Sequence, residues 1–308
     1  MLLAMISVIG GFILMILGAE GFIRGGSGIA KRFNIPEYVI GATVVAIGTS
    51  LPEVISSSYA AWRGFSDISV GNVVGSNFFN MAMILGFIAL VVPITVKRNI
   101  FQKDVPVFLA SVFILFLISF DTIISRVEGI ILLILFAGYL MWIISEKEVP
   151  EEEFVKLAPK SLWIAVLYLI AASLFLYIGS RLAIDGAVIL GERLNISRWI
   201  IGVIIVAFGT SLPEFTTSIV AAIRGRRDIS VGNILGSNIT NVLLVIGTAS
   251  TVRPLSVSKT TIQFDIPVVI LTSLVLSFMI NDKKITRLSG LVLLSIFILY
   301  IRAVIGIY

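Results

Sequence analysis

Two carboxylates mark where this chain could do chemistry. Glu53 closes the run Gly41-Ala-Thr-Val-Val-Ala-Ile-Gly-Thr-Ser-Leu-Pro-Glu53, and Glu214 closes Gly202-Val-Ile-Ile-Val-Ala-Phe-Gly-Thr-Ser-Leu-Pro-Glu214. From Ala46 to Glu53 and from Ala207 to Glu214, seven of eight residues are identical, 161 positions apart. Both runs are otherwise apolar. A carboxylate at the centre of a bilayer costs about 2.5–3.5 kcal/mol on insertion scales, so such a residue is by default a functional one. Proline lacks an N–H, and its ring collides with the carbonyl four residues back. Pro52 therefore removes the helical bond of Gly48, and Pro213 that of Gly209. Carbonyls around Ala46–Thr49 and Ala207–Thr210 are expected to be freed, which hydrocarbon tolerates only where backbone lines a cavity or is buried in protein.

The companions of these carboxylates are all oxygen donors. Ala46, Ser50, Glu53 and Ser57 recur at helical spacing on one face, as do Ala207, Ser211, Glu214 and Ser218. The next span adds Asn72, Ser76 and Asn80 at i, i+4, i+8, repeated as Asn233, Ser237 and Asn241. Gly75 and Gly236 beside them permit close helix approach. The chain has no Cys and no His, which excludes disulfides, thiolate sites, the usual zinc sites and imidazole catalysis. Hard cations such as Ca²⁺ and Na⁺ fit an oxygen-only set; Ca²⁺ takes about 6–8 oxygens. Two bidentate carboxylates with the carbonyls of Thr49 and Thr210 supply about six.

The elements that position these residues are membrane spans. Of 308 residues, 58% are hydrophobic and 13% charged, and mean hydropathy is +1.08; that composition defines a polytopic membrane protein. Apolar runs long enough to span, about 17–25 residues, lie near 3–23, 38–62, 72–93, 104–120 and 127–144, then 161–184, 199–223, 232–252, 262–280 and 288–306. Met1–Phe22 lacks a basic n-region and a clear cleavage site, and its counterpart sits mid-chain, so a retained first helix is expected. Between the groups lies a polar stretch with Glu151, Glu152 and Glu153, read as a solvated linker face.

The 161-residue repeat extends well beyond the two glutamate runs. It pairs Gly18 with Gly179, Asn34 with Asn195, Gly64 with Gly225, Asp67 with Asp228, and Asp104 and Pro106 with Asp265 and Pro267. The fold class expected is therefore an all-α polytopic membrane protein of ten transmembrane helices. Residues 1–147 form the first five-helix repeat, 148–160 an acidic cytoplasmic linker, and 161–308 the second repeat, with the second and seventh helices broken. An odd number of spans per half forces the second half to be inverted, an architecture common in secondary transporters. With the termini outside, cytoplasmic loops hold fifteen Lys and Arg and outer loops eight; the positive-inside rule selects that orientation, in a cell membrane. Asp104 and Asp265, each followed by a residue and then Pro, read as N-caps of the fourth and ninth spans. Asp67 and Asp228 read as turn residues.

At these motifs the sequence resembles the cation/calcium antiporter superfamily, most closely the prokaryotic sodium/calcium exchangers. Gly-Thr-Ser-Leu-Pro-Glu and Gly-Asn-x-x-Gly-Ser-Asn each occur twice, in order, within Gly41–Asn80 and Gly202–Asn241. The resemblance implies that Glu53 and Glu214 are shared Ca²⁺/Na⁺ carboxylates and that Thr49 and Thr210 give carbonyls to Ca²⁺. It implies flanking Na⁺ sites from the carbonyls of Ala46 and Ala207 and the hydroxyls of Ser50, Ser211, Ser76 and Ser237, with Asn80 and Asn241 completing the central layer. It further implies alternating access, the first and sixth helices sliding against the other eight, and three Na⁺ per Ca²⁺. Potassium-dependent members carry Asp where Asn80 or Asn241 stands; both are neutral here, which argues against K⁺ co-transport. An exchanger of H⁺ for Ca²⁺ or another divalent cation, using the same two glutamates, is the alternative. No cofactor is expected beyond transported Ca²⁺ and Na⁺, no nucleic-acid partner is indicated, and a monomer in the lipid bilayer suffices because one chain holds both halves of the site.

Blander readings exist for each feature. A carboxylate near a helix end can snorkel to the interface, but both glutamates lie mid-span. Asn and Ser stripes can serve as hydrogen-bonding glue between helices, the more so for Asn72, Asn77, Asn233 and Asn238. A channel would use similar ligands, usually in a symmetric oligomer with a continuous pore. An intramembrane enzyme would need a nucleophile with a base or metal, and no Gly-x-Ser-x-Gly pattern is present.

Overall fold

The computed structural model describes residues 1–95, 98–145, 156–193, 207–281 and 284–307. The expected linker motif at Glu151–Glu153 and the start of the second glutamate run, 202–206, lie outside the described residues. The elements are helices α1 (Leu2–Phe33), α2 (Glu37–Thr49), α3 (Leu51–Arg63), α4 (Ser66–Val91), strand β1 (Ile94–Thr95), α5 (Arg98–Ile118), β2 (Ile123–Ile124) and α6 (Arg126–Ser145). Then follow α7 (Leu162–Arg193), α8 (Ala207–Thr210), α9 (Leu212–Ile223), α10 (Arg227–Val252), β3 (Leu255–Ser256), α11 (Thr261–Ile280), β4 (Lys284–Ile285) and α12 (Arg287–Ile307). Among the described residues seven helices are long and apolar enough to cross a membrane, and the bent pair α2–α3 makes an eighth. The protein is a helical membrane protein. Leu3, Ile6, Ile9, Ile13 and Ile16 of α1 stay exposed along one face, a patch that lipid covers and water would not. By contrast most of α4 and nearly all of the spanning part of α10 are buried.

The sequence signals fix several ends. α1 stops at Asn34, which takes the left-handed conformation at φ 52° and caps Ala30; Asn tolerates that conformation and serves as a helix C-cap. Gly64 and Gly225 sit at φ +87° and +79° just past α3 and α9, where a side chain would be strained. The N-cap reading of Asp104 and Asp265 is overturned. Asp104 lies inside α5, which starts at Arg98, and Asp265 inside α11. Pro267 does not start its helix because Thr261–Asp265 just before it forms a wide π turn. That turn gives the proline ring room where an α turn would clash. Asp265 is buried and accepts a hydrogen bond from the Tyr300 hydroxyl at 2.9 Å.

The chain forms two compact units that do not follow the repeat boundary. The first unit is Met1–Pro52 with Glu146–Asn233, the second Glu53–Ser145 with Ile234–Tyr308. In the first unit α1 packs along α7 on a seam of small residues spaced by seven. Ala4, Gly11, Gly18 and Gly25 meet Gly186, Gly179, Ala172 and Ala165 in antiparallel order. A Cβ on Gly11 would lie 2.5 Å from the Gly179 carbonyl oxygen, and one on Gly179 2.7 Å from that of Gly11. Lipid tails are as apolar as Leu, so helices in a bilayer associate through such close backbone packing.

In the second unit contacts come in exchanged pairs. β1 pairs antiparallel with β4 (Ile94 opposite Ile285), and β2 with β3 (Ile124 opposite Leu255). Moving each residue 161 places converts one ladder into the other. The same exchange relates the close approach of Gly86 and Gly290 to that of Gly129 and Gly247. Residue i meeting j while the copy of j meets the copy of i is the pattern a two-fold axis generates.

The seam yields a sharp contrast between neighbours. Gly11→Ala should destabilise the protein by about 1–3 kcal/mol through overpacking. Gly10→Ala, at a site with nothing within 4 Å, should be neutral or stabilising by about 0.5–1 kcal/mol because Ala is the better helix former. Thermal unfolding of both variants in detergent measures the difference.

Candidate cation-binding site

The helix break expected at the first glutamate run is present. α2 ends at Thr49, Ser50 takes a non-helical φ −84°, ψ 3°, and α3 starts at Leu51 with a bend of 44°. The second run repeats it, with Ser211 at φ −92°, ψ 7° between α8 and α9. The break does not free every carbonyl foreseen. That of Ala46 accepts the Ser50 N–H at 3.0 Å and the Thr49 hydroxyl at 3.2 Å, because the chain takes one more turn before the proline acts. Ala207 stands in the backbone of α8, and Thr210 ends it, half-buried.

In the first unit the two runs meet. Ser50 Oγ donates to Glu214 Oε1 at 3.1 Å, and Thr49 Oγ1 lies 3.2 Å from Asn233 Oδ1. Asn233 in turn donates through Nδ2 to Ser218 Oγ at 2.8 Å and to the Glu214 backbone carbonyl at 3.4 Å. Glu214 is 1% exposed, and its Oε2 has no hydrogen-bond partner among the described residues; the Ser211 hydroxyl is likewise buried and unpartnered. A buried charge costs several kcal/mol unless paired and hydrogen-bonded. The hydroxyls of Ser50 and Thr49 orient the carboxylate without neutralising it, and its open oxygen is able to accept a cation.

In the second unit Glu53, Ser57, Ser76, Asn80, Ser237 and Asn241 are all buried. Four amides form a lattice that obeys the same exchange as the strands. Asn241 Nδ2 donates to Asn77 Oδ1 at 3.0 Å, and Asn80 Nδ2 to Asn238 Oδ1 at 3.3 Å. Asn77 Nδ2 also reaches the Asn238 backbone carbonyl at 3.3 Å. The amide oxygens of Asn80 and Asn241 are left buried with no hydrogen-bond partner. Both come at the first residue of a π turn, Asn80–Leu85 and Asn241–Ile246. Such turns are rare and cluster at functional sites because they shift the side-chain register by one residue.

Asn72 behaves as its counterpart Asn233 does, donating to Ser57 Oγ at 2.9 Å. These two asparagines hold the helix after each break to the next helix, the glue reading weighed for them above. Asn77 and Asn238 also show the hydrogen-bonding glue role read for them from sequence, and beyond it they orient the amides of Asn241 and Asn80. The available signal for that orientation was their i, i+3 placement before Asn80 and Asn241, repeated in both halves. Among the described residues no three Asp or Glu side chains come together, so a cation here would rest largely on neutral oxygens.

With this geometry in hand, comparison with known proteins decides the family. The family model for sodium/calcium exchanger proteins matches residues 3–145 and 164–306. The chain belongs to the sodium/calcium exchanger family. It is similar to the sodium/calcium exchanger MaX1 of Methanosarcina acetivorans, 30% identical over 94% of this chain and 95% of that one. It is 37% identical to an uncharacterised membrane protein of Methanocaldococcus jannaschii over 95% of each chain. A solved structure of the sodium-calcium exchanger NCX_Mj superposes with TM-score 0.86 at 34% identity, covering 98% of this chain and 99% of that one. This member of the exchanger family is a transporter, not an enzyme.

The Asn233 bridge is testable by itself. Asn233→Ala removes the donor to the buried Ser218 hydroxyl, which should cost about 1–3 kcal/mol. A double-mutant cycle with Ser218→Ala should return a coupling of at least about 0.5 kcal/mol in thermal unfolding.

Proposed function

We propose that the protein is a secondary antiporter that exchanges Na⁺ for Ca²⁺ across the cell membrane by alternating access. The observation that carries this reading is the pair of buried carboxylates, Glu53 and Glu214, each just past a proline-induced helix break, in a chain of the sodium/calcium exchanger family. Glu53 and Glu214 serve as the charged ligands of Ca²⁺, with the backbone carbonyls of Thr49 and Thr210. The hydroxyls of Ser50, Ser211, Ser76 and Ser237 and the carbonyls of Ala46 and Ala207 serve Na⁺. Asn80 and Asn241 offer the neutral amide oxygens that the lattice leaves open.

On this reading the chain has ten spans in two inverted halves, with the termini outside and the acidic linker in the cytoplasm. The strand ladders support that count. Paired strands must share a side of the membrane, and ten spans put 94–95 with 284–285 on one side and 123–124 with 255–256 on the other. The tight α1–α7 seam supports their moving as one piece during alternating access. Two fixed negative charges are neutralised by one Ca²⁺, and three Na⁺ leave one positive charge, so each cycle moves net charge. One chain supplies every proposed ligand, and a monomer suffices.

The test is ⁴⁵Ca²⁺ uptake into proteoliposomes loaded with Na⁺. Uptake should require internal Na⁺, ignore K⁺, respond to membrane potential, and fall about 10²-fold or more in Glu53→Ala and Glu214→Ala. That figure follows from the 3–5 kcal/mol that loss of one member of a buried charge pair costs. Uptake driven by a proton gradient without Na⁺ would assign H⁺/Ca²⁺ exchange to the same glutamates. A leak that needs no gradient and survives both substitutions would sink the antiporter.

A stability measurement separates site from fold. Glu214→Gln removes a buried charge while keeping the shape, so in ion-free detergent it should unfold no earlier than the parent. Saturating Ca²⁺ should raise the parent's midpoint, by about 2.7 kcal/mol at a hundred times the dissociation constant, and leave that of Glu214→Gln unmoved.

A further inference from the structure

A groove in the second unit plays no part in the ion site. It runs between α5 and α11, the two helices that carry Pro106 and Pro267. Its wider end, about 450 Å³, is lined by Phe116, Phe120, Thr122, Lys259, Gln263 and Pro267. Further along the same two helices lies a second hollow of about 210 Å³, lined by side chains that include Leu109, Phe113, Ile270 and Leu274. Phe113, Phe120 and Leu274 are exposed, so in a membrane this crevice opens to lipid.

The two ends differ in chemistry. The narrow part is walled almost entirely by apolar side chains at the depth of the spanning helices. The wide end lies where the spans give way to the β2–β3 ladder; there the Val257 N–H donates to the Thr122 carbonyl at 2.8 Å, which places it at a membrane–water boundary. Lys259 and Gln263 stand there exposed, with neither an ion pair nor a hydrogen bond among the described residues. Both offer N–H donors, and Lys259 carries a positive charge. The nearby carboxylate of Asp121 is engaged by the Ile123 N–H at 3.1 Å. Free donors at headgroup level above an aromatic and aliphatic crevice complement a molecule with an anionic acceptor on top and a hydrocarbon chain below.

The internal repeat sharpens the point. Ion-site residues occur in both halves, but the counterparts of Phe116 and Phe120 are Ser277 and Asn281. The aromatic floor therefore belongs to one half only, and transport symmetry does not account for it.

We propose that this groove binds one anionic phospholipid, its phosphate on Lys259 and Gln263 and an acyl chain on Phe116, Phe120 and the crevice beyond. A basic side chain near an anionic lipid surface is worth about a fivefold gain in binding. Native mass spectrometry of the full chain in detergent, titrated with phosphatidylglycerol or phosphatidylcholine of matched chains, provides the test. One phosphatidylglycerol should be retained with at least about fivefold preference over phosphatidylcholine. Lys259→Gln should abolish the preference, Lys259→Arg should keep it, and Arg302→Gln, an exposed base on α12, should leave it intact. Equal retention of the two lipids, or a preference that survives Lys259→Gln, would overturn the proposal. So would displacement of the lipid by inorganic phosphate, which would mark a simple anion site. Phosphatidylglycerol carrying a photoreactive acyl chain should label residues 109–120 and 262–274; labelling confined elsewhere would also refute it. If Lys259→Gln unfolds in lipid-free detergent, Gln263→Leu takes its place and should lower the preference.

Discussion

The constraint on which the rest of this molecule depends is the cost of a buried carboxylate. Glu214 is enclosed, its carboxylate is approached by the hydroxyls of Ser50 and Thr49, and Oε2 has no hydrogen-bond partner among the described residues. A soluble protein would answer such a cost with an arginine or a cluster of N–H donors. Here the neighbours are hydroxyls and amides, which orient a carboxylate without neutralising it. A permanent guanidinium would make the carboxylate cheap and also useless for a passing cation. Weak partners keep it available. The first helix break serves the same end: it makes Ser50 non-helical, and the Ser50 hydroxyl rather than a helical turn approaches the Glu214 charge.

Duplication solves the positioning problem twice with one set of instructions. Each Asn–Ser bridge, the Gly86–Gly290 approach and each strand ladder has its image 161 residues away, and the amide lattice maps onto itself. A two-fold arrangement needs only one good solution to a contact to obtain two. The exceptions carry information. Glu37 pairs with Arg226 at 3.2 Å, both largely buried, yet their counterparts are Arg198 and Phe65. The halves are free to differ at the periphery while the polar centre stays matched.

Much of this was legible in the sequence because the bilayer makes few patterns viable. Long apolar runs must be helices, proline and glycine inside them must break them, and a carboxylate there must be functional. The glutamates, their broken helices and the repeat follow from those rules. What was not legible depends on side chains meeting across the fold. A π turn leaves no clear mark in hydrophobic periodicity, since it adds one residue to a stretch that is apolar on every side; Asn80–Leu85 and Asn241–Ile246 are such stretches. Asp104 and Asp265 carried a capping signature, an acid two places before proline, but the signature assumes the helix starts there. Burial and the Tyr300 hydroxyl hold Asp265 in mid-helix instead. Two-residue strands such as β1 and β2 are too short to register against ten apolar runs.

The amide lattice explains how a site can be polar without adding charge. An asparagine has two donors and an acceptor, and in isolation either end could face an ion. Asn80 and Asn241 each spend Nδ2 on the neighbouring amide, Asn238 or Asn77, and that fixes their oxygens as the free ends. The orientation is imposed by the lattice and would be lost if Asn77 or Asn238 were apolar. A carboxylate at position 80 or 241 would also present oxygen, but it would bring a third charge and could not donate to its partner amide. With asparagine at both positions, on the proposed reading, the fixed charge stays at that of Glu53 and Glu214. One divalent cation balances it and three monovalent cations exceed it by one. The choice of amide over carboxylate thus sets the hydrogen-bond direction within the lattice and, on the proposed reading, puts the charge movement in the sodium-loaded half of the cycle.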